Sequence, residues 1–438
     1  MGYFLIDRIM EFSGTLILAG LILALLWLWS MKNRRKYPLP PGPTGLPLIG
    51  NLLQVDKHVN KLYVLFQLSE KYGPVMTLHL GWQRVVVLVG YDTVKEALVD
   101  QADDFVGRGP VALLLKVTKG YGNTGSAPFD PRFLLSCTVS NVICCLVFGQ
   151  RFSYDDERFL SLLKIISEIL KFGSSPLGGV RANDIQGGDR FKTEVYFEHM
   201  ETINPSVPRD YIDCFLTRLS QEKDTPTSEF HYDNLVSTVL NLFLAGTETT
   251  STTIRYALSV LIKYPNIQEK MQQEIDTVIG QERCPSMEDR KSLPFTDAVI
   301  HEVQRYLDIV PFSVPHYALQ DICFRGYIIP KGTVILPMLH SVLREDKQWA
   351  TPWSFNPQHF LDQNGNFKKN PAFLPFSAGK RACVGESLAR MELFLFLVAL
   401  LQRFTFSCPG GPDSVDLSPE YSSFANLPRR HQIIATPR

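Results

Sequence analysis

The sequence predicts a mainly α-helical domain with a small β region, carried behind an N-terminal transmembrane helix. Three observations predict it. Runs with helical apolar spacing dominate the second half of the chain, two pairs of short β-type segments flank turn residues, and one charge-free stretch near the start is long enough to cross a bilayer. The 438 residues allow two or three domains by length alone. With 45% hydrophobic and 20% charged residues, a large core is within reach and global disorder is excluded. Lys+Arg and Asp+Glu balance at 44 each, without the basic surplus a general nucleic-acid binder needs for phosphate. Eight cysteines with no C-x-x-C pair, and nine histidines with no ligand-like spacing, make neither a disulfide scaffold nor a structural zinc site.

From Phe12 to Met31 no residue is charged. That length suits a hydrocarbon core of about 30 Å. A cleaved signal peptide would have a shorter apolar core and a small-residue cleavage site. Here the run ends in Trp27 and Trp29 and meets Lys32, Arg34, Arg35 and Lys36, the pattern of an uncleaved signal-anchor with its basic end cytoplasmic. The expected division is an anchor over residues 1–37 and one cytoplasmic domain over 38–438. Pro38 to Pro43 then reads as a stiff extended spacer.

Val75–Leu80 and Val85–Val89, around Gly81 to Arg84, predict a β-hairpin. A second is expected from Phe324–Ile329 and Thr333–Leu336 around Pro330, Lys331 and Gly332. Asp233 is the expected cap of a long helix that runs to about Tyr264 and is stopped by Pro265. Further helices fit Ile267–Ile279, Phe295–Tyr306 and Ser387–Phe404. The last is apolar nearly all round, so it should be buried.

Immediately before that buried helix stands Phe376-Ser-Ala-Gly379-Lys-Arg381-Ala-Cys383-Val-Gly385. Glycine allows tight turns and close backbone approach. A cysteine at a helix start lies where a thiolate is electrostatically favoured. Arginine is a natural partner for a carboxylate. Most lone cysteines are simply small buried hydrophobes, but the ten-residue pattern points the other way. Two more motifs stand upstream. Glu302 and Arg305 sit at i and i+3 on one helix face. Ala245-Gly-Thr-Glu248-Thr249-Thr250 makes a poor helix interior in the middle of a long helix, a local violation that invites a functional reason.

Together these motifs resemble the cytochrome P450 family, and the likeness is greatest to its microsomal family-2 members. The resemblance implies the cytochrome P450 fold and haem b (iron protoporphyrin IX), with Cys383 as the axial thiolate to the iron. Phe376, Gly379, Arg381 and Gly385 match the remainder of the haem-binding signature. Arg381, His316 and Arg108 match propionate contacts. Glu302 and Arg305 match a structural lock whose third partner comes from Pro357-Gln-His359-Phe360, with His359 where many relatives carry arginine. Thr249 would orient dioxygen in a locally opened helix, and Glu248 would feed protons to it. Leu242, Ala245, Phe312, Val314 and Phe424 match substrate-pocket positions, with Val111 to Leu115 as a further stretch. The implied activity is monooxygenation of lipophilic substrates (xenobiotics, fatty acids or steroids) at the endoplasmic reticulum membrane. Electrons would come from NADPH through NADPH–cytochrome P450 reductase, with cytochrome b5 as a candidate second donor.

The likeness breaks in two places. After Gly120-Tyr-Gly122-Asn-Thr-Gly125 the chain jumps to Ser126-Ala-Pro128-Phe-Asp-Pro131, where the family would continue into a helix carrying a propionate-binding Trp and Arg. Between Gly179 and Pro205 a second shortening replaces the expected pocket-roofing helices. A shortened form with little turnover is therefore the alternative reading. A haem-thiolate isomerase is disfavoured by the retained Glu248 and Thr249. The glycine series also spells a dinucleotide fingerprint, but Pro128 and Pro131 forbid the required helix and no acid stands at the required distance.

Overall fold

A computed structural model describes residues 39–46, 49–52, 54, 61–81, 83–105, 128–163, 198–422 and 425–438. The candidate anchor, Arg108, the 111–115 stretch, the glycine series at 120–125, the join at Ser126, the run 181–188 and Phe424 lie outside the described residues. Among the described residues no helix is long and apolar enough to cross a membrane. The chain forms two compact units, one of residues 1–109 with 312–341, the other of 110–311 with 342–438.

The first unit holds the main sheet. β1 (Val75–Leu80) and β2 (Gln83–Leu88) form the expected hairpin, with Leu80 opposite Gln83. Helix α1 (Lys61–Tyr72) packs Leu65, Phe66, Leu68 and Tyr72 against it. Val85 to Leu88 are all buried, as expected of an interior strand covered on both faces. The strand order is β1-β2-β6-β3, with β3 (His316–Tyr317) and β6 (Val334–Pro337) completing the sheet, and β6 runs parallel to β2. The proline-rich start is no free spacer: the Pro41 carbonyl accepts from the Thr77 amide of β1 at 2.8 Å. After β2, α2 (Tyr91–Lys95) runs on into a wider π-turn at Glu96–Asp100.

The second hairpin corrects the sequence reading. Phe324–Ile329 is not one strand. β4 (Ile322–Phe324) pairs with β5 (Tyr327–Ile329) across Arg325 and Gly326, whose φ values are 48° and 81°. Two successive positive φ angles give the hairpin turn whose twist matches the strands. Residues 334–337 then join β2 and β3 instead. The local pattern of 324–336 could not choose between these partners.

The second unit is helical. α3 (Arg132–Phe148) lies along α5 (Tyr232–Lys263), and α6 (Pro265–Val278), α7 (Pro294–Leu307) and α8 (Glu386–Arg403) share one core with α5. Ile254, Leu258 and Leu261 of α5, Ile275 of α6, Val299 and Val303 of α7, and Leu397 and Leu401 of α8 all lie within it. Between α3 and α5, α4 (Tyr211–Gln221) is capped by Asp210, whose Oδ1 accepts from the Asp213 amide at 2.9 Å. Pro265 ends α5 and opens α6, taking the first position of the next helix. The cap of α5 is His231, not Asp233: its Nδ1 accepts from the Asn234 amide at 3.3 Å. Asp233 falls in the first turn, where its charge opposes the helix dipole's positive end. Strands β7 (Phe404–Ser407) with β10 (Ile434–Pro437), and β8 (Pro419–Ser422) with β9 (Asn426–Pro428), close the unit.

Candidate functional site

The cysteine loop is shaped by its backbone. Ser377 and Gly379 take positive φ values of 64° and 73°, and residues Gly379–Arg381 make a single tight helical turn. The Cys383 amide then donates to the Phe376 carbonyl at 2.9 Å, closing the loop. α8 begins directly after it, with the Ala389 amide bonded to the Gly385 carbonyl at 2.9 Å. Cys383 is exposed and the next residue, Val384, is 93% exposed. A Cβ added at Gly385 would meet only the Cys383 sulfur, at 3.9 Å. The protein's own packing therefore demands neither the exposed valine nor the glycine, and both flank a presented thiol. This donor set fits a soft-ligand metal group brought up against the loop. Arg381 sits on the same turn, exposed.

The helix start does not by itself make Cys383 a thiolate. Although Cys383 as a whole is exposed, partial desolvation of its sulfur by the surrounding loop pushes the thiol above its ordinary pKa, the Gly385 amide pulls it down, and the Glu386 charge pushes it up again, with a net upward direction. A metal coordinated by this sulfur would supply the missing positive charge and favour the thiolate. Behind the loop, the Arg390 guanidinium lies 5.1 Å from the Phe376 ring centre and bonds Glu386 at 2.9 Å and His301 Nε2 at 2.8 Å. Because arginine can only donate, His301 Nε2 accepts, and its Nδ1–H donates to the Asp297 carbonyl at 2.7 Å. Arg390 and His301 thus tie the cysteine loop to α7. Nothing in the local sequence singles either of them out.

Glu302, Arg305 and His359 come together as expected. Both members of the ion pair are fully buried. All five guanidinium N–H groups of Arg305 are used. Nε and Nη2 reach Glu302 at 2.7 Å each, Nη1 reaches the Leu343 and Pro352 carbonyls at 2.8 Å, and Nη2 also reaches the Ser354 carbonyl at 2.9 Å. Glu302 also accepts from the Asn356 amide at 2.7 Å. His359 Nε2 accepts from the Thr351 amide at 3.1 Å, so the ring proton sits on Nδ1, which donates to Glu302 at 3.1 Å. This third partner is therefore a neutral donor where an arginine would be a cation. The buried pair is tolerable because every polar atom of the guanidinium is met.

Along α5 the Ala245–Thr250 stretch is helical without interruption. Thr249 is exposed, and its hydroxyl donates back to the Ala245 carbonyl at 2.6 Å, so the local opening expected at this turn is not present. Gly246 has a packing reason. A Cβ there would lie 2.5 Å from Ile143 Cδ1 of α3, and one residue on, Thr247 accepts from Ser140 at 3.0 Å. Leu242 is partly buried in the core between α3 and α5, and Ala245 is exposed.

In the first unit, His316 is buried on β3 and its Nδ1–H bonds the Phe105 carbonyl. Phe312 packs on the sheet core with Met76 and Val87, and Val314 is exposed.

The sequence profile of the cytochrome P450 family matches residues 40–127 and 116–435, and the chain belongs to that family. Its relatives are microsomal family-2 members. It is 42% identical to human cytochrome P450 2F1 over 98% of this chain and 100% of the relative, 43% identical to rat cytochrome P450 2C23 over the same shares, and 42% identical to human cytochrome P450 2A13 over 97% and 98%. The protein is thus a cytochrome P450, a haem-thiolate monooxygenase by family, and its cofactor is haem b. The alignment with 2F1 takes 493 positions to place 98% of 438 residues, so about 60 positions of the relative have no counterpart here.

Proposed function

We propose that this chain is a shortened, membrane-anchored monooxygenase of lipophilic substrates, in which haem is held by Cys383 and its carboxylates by Arg381, His316 and Arg108. The observation that carries this reading is the outward presentation of Cys383 in a loop whose glycine and valine the protein does not need for its own packing. Bound haem supplies the one-electron and dioxygen chemistry. The chain's residues supply the rest. Phe376 and Gly379 fix the loop, Gly385 lets α8 start beside the ring, and Glu302, Arg305 and His359 hold the segment leading into it. Thr249 holds a hydroxyl proton on the oxygen side, and Glu248, one residue earlier, relays protons. Leu242, Ala245, Phe312, Val314 and Phe424 are the pocket positions, and their mainly apolar character suits a lipophilic substrate.

The anchor at 1–37 places the domain on the cytoplasmic face of the endoplasmic reticulum membrane, within reach of NADPH–cytochrome P450 reductase and cytochrome b5. A specific observation favours low turnover. The family match falls into two pieces that meet at residues 116–127, and about 60 positions have no counterpart, as expected if a block is missing at Ser126 and another is shortened between 179 and 205. The first block would bring a propionate-binding Trp and Arg and part of the reductase-docking surface. The test is expression of the full chain followed by the carbon monoxide difference spectrum of the reduced protein. We expect a thiolate-type Soret band with less than one haem per chain and slow NADPH-dependent oxygen uptake. Full haem occupancy with normal turnover would refute the low-activity reading, and colourless protein would refute the monooxygenase reading.

A further inference from the structure

We propose that the outward face of α3 is a self-association surface, on which α3 of a second copy of this chain packs antiparallel about a two-fold axis at the level of residue 140. The observation that carries it is an apolar stripe without a partner. From Phe133 to Gln150 the chain holds no charged residue, and a helix that is apolar all round belongs in an interior. One side of α3 obeys this. Cys137, Ile143, Cys144, Val147 and Phe148 are buried in the core shared with α4 and α5.

The other side does not. Leu134 is 39% and Leu146 51% exposed, Cys145 is exposed, and Leu135, Thr138 and Val142 are only half-buried. At 3.6 residues per turn these six positions fall within about a third of the helix circumference and form a strip about 18 Å long. Tyr154, whose hydroxyl meets that of Thr138 at 3.2 Å, rims it. The surface helix α6 shows what a solvated face looks like in the same unit: Asn266, Glu269, Lys270, Gln273 and Asp276 are its exposed residues after Pro265, with Thr277. A contiguous apolar strip in place of such a face marks an interaction surface.

Two features single out a second copy as the occupant. The strip is its own complement. Positions 134 and 146, 135 and 145, and 138 and 142 are each equidistant from 140, so an antiparallel two-fold sets Leu134 against Leu146 of the second copy, and the same contact occurs twice. Its two ends also carry opposite charges on the surface. Asp130, just before the helix, keeps a side chain 36% exposed beside Arg132. Arg151, just past the helix, is exposed over the Tyr154 ring at 5.4 Å and has no carboxylate partner among the described residues. Antiparallel packing brings Asp130 of each copy towards Arg151 of the other, whereas parallel packing would bring like ends together.

The test uses the full chain in phosphatidylcholine vesicles, and no readout needs bound haem. In the two-fold arrangement Cys145 lies about 15 Å along the axis from Cys145 of the second copy, beyond disulfide reach. A cysteine at position 134 would instead lie within one residue's rise of it. Mild copper–phenanthroline oxidation should therefore leave the wild type unlinked through Cys145, and give Leu134→Cys a covalent dimer whose joined peptides, read by mass spectrometry, carry positions 134 and 145. Adding Leu146→Glu should cut that yield at least tenfold without lowering the melting temperature, since Leu146 is exposed in the single copy. In the wild type, reaction of Cys145 with a water-soluble maleimide should slow several-fold as the protein-to-lipid ratio is raised. A link between the two Cys145 residues in the wild type, the sign of parallel pairing, would overturn the proposal. So would the absence of the 134–145 link, or maleimide reaction equally slow at every protein density, the sign of a lipid surface on this face.

Discussion

The lock around Arg305 and the loop around Cys383 both stand on the supports of α7 and α8, yet they are built on opposite terms. Arg305 is enclosed by five protein acceptors and its carboxylate partner is equally enclosed. Cys383 faces outward, carries a raised pKa and is followed by an exposed valine. The first region is complete in the polypeptide alone. The second presents a thiol outward that the polypeptide's own packing does not use. The Arg390–His301 contact between them lets the complete region hold the incomplete one in shape.

The comparison can be broken most directly at the sulfur. Cys383→Ser should abolish the thiolate-type Soret band while leaving the melting temperature of haem-free protein within a few degrees, because the side chain is exposed and packs little. Glu302→Ala should do the reverse damage. It strands a fully buried guanidinium, at a cost of about 3–5 kcal/mol, and should be seen as loss of soluble protein or as a large fall in the urea midpoint whether or not haem is present.

A smaller effect follows from Glu392, buried on α8. Its folded-state pKa, pushed up by burial to about 7, lies above the ordinary carboxyl value of 4.5. Folding therefore takes up a proton between these values, so the stabilisation is fully present below pH 4.5 and lost as pH rises through 7. Glu392→Gln should be the more stable protein at pH 8, by at most about 3 kcal/mol, with the difference closing towards pH 5 in urea titrations. Gly246→Ala tests packing between α3 and α5. Alanine favours helix by about 1 kcal/mol, but overpacking against Ile143 costs about 1–3 kcal/mol, so the single variant should be destabilised. In an Ile143→Ala background the same change should become stabilising. A further test of the lock is His359→Thr. Loss of a neutral donor to Glu302, beside an Arg305 that keeps all its partners, should cost about 1–3 kcal/mol by thermal melt.

Element type was legible wherever one pattern ran long. The hairpin at 75–88 and the helices ending at Lys263, Val278, Leu307 and Arg403 follow from periodicity and from Pro265. The reading failed at 322–336, where short apolar segments on either side of two turns fit more than one pairing, and at His231, whose ring caps a helix by a geometry that composition does not announce. The same holds for the site. Phe376 to Gly385 is a contiguous word and is read as one, whereas Arg390 and His301 matter only through what they touch.

By itself, then, the sequence singled out the candidate site residues, because a cysteine between glycines and a threonine in a weakened helix are local facts of composition. Only the tertiary structure decided that the Arg305 guanidinium is fully met, that Gly246 is needed by Ile143, and that Thr249 bonds back to Ala245 in a closed helix. Each of these depends on the distance between atoms remote in the chain or on a choice between hydrogen-bond partners, and such energies are fixed only once the elements are packed.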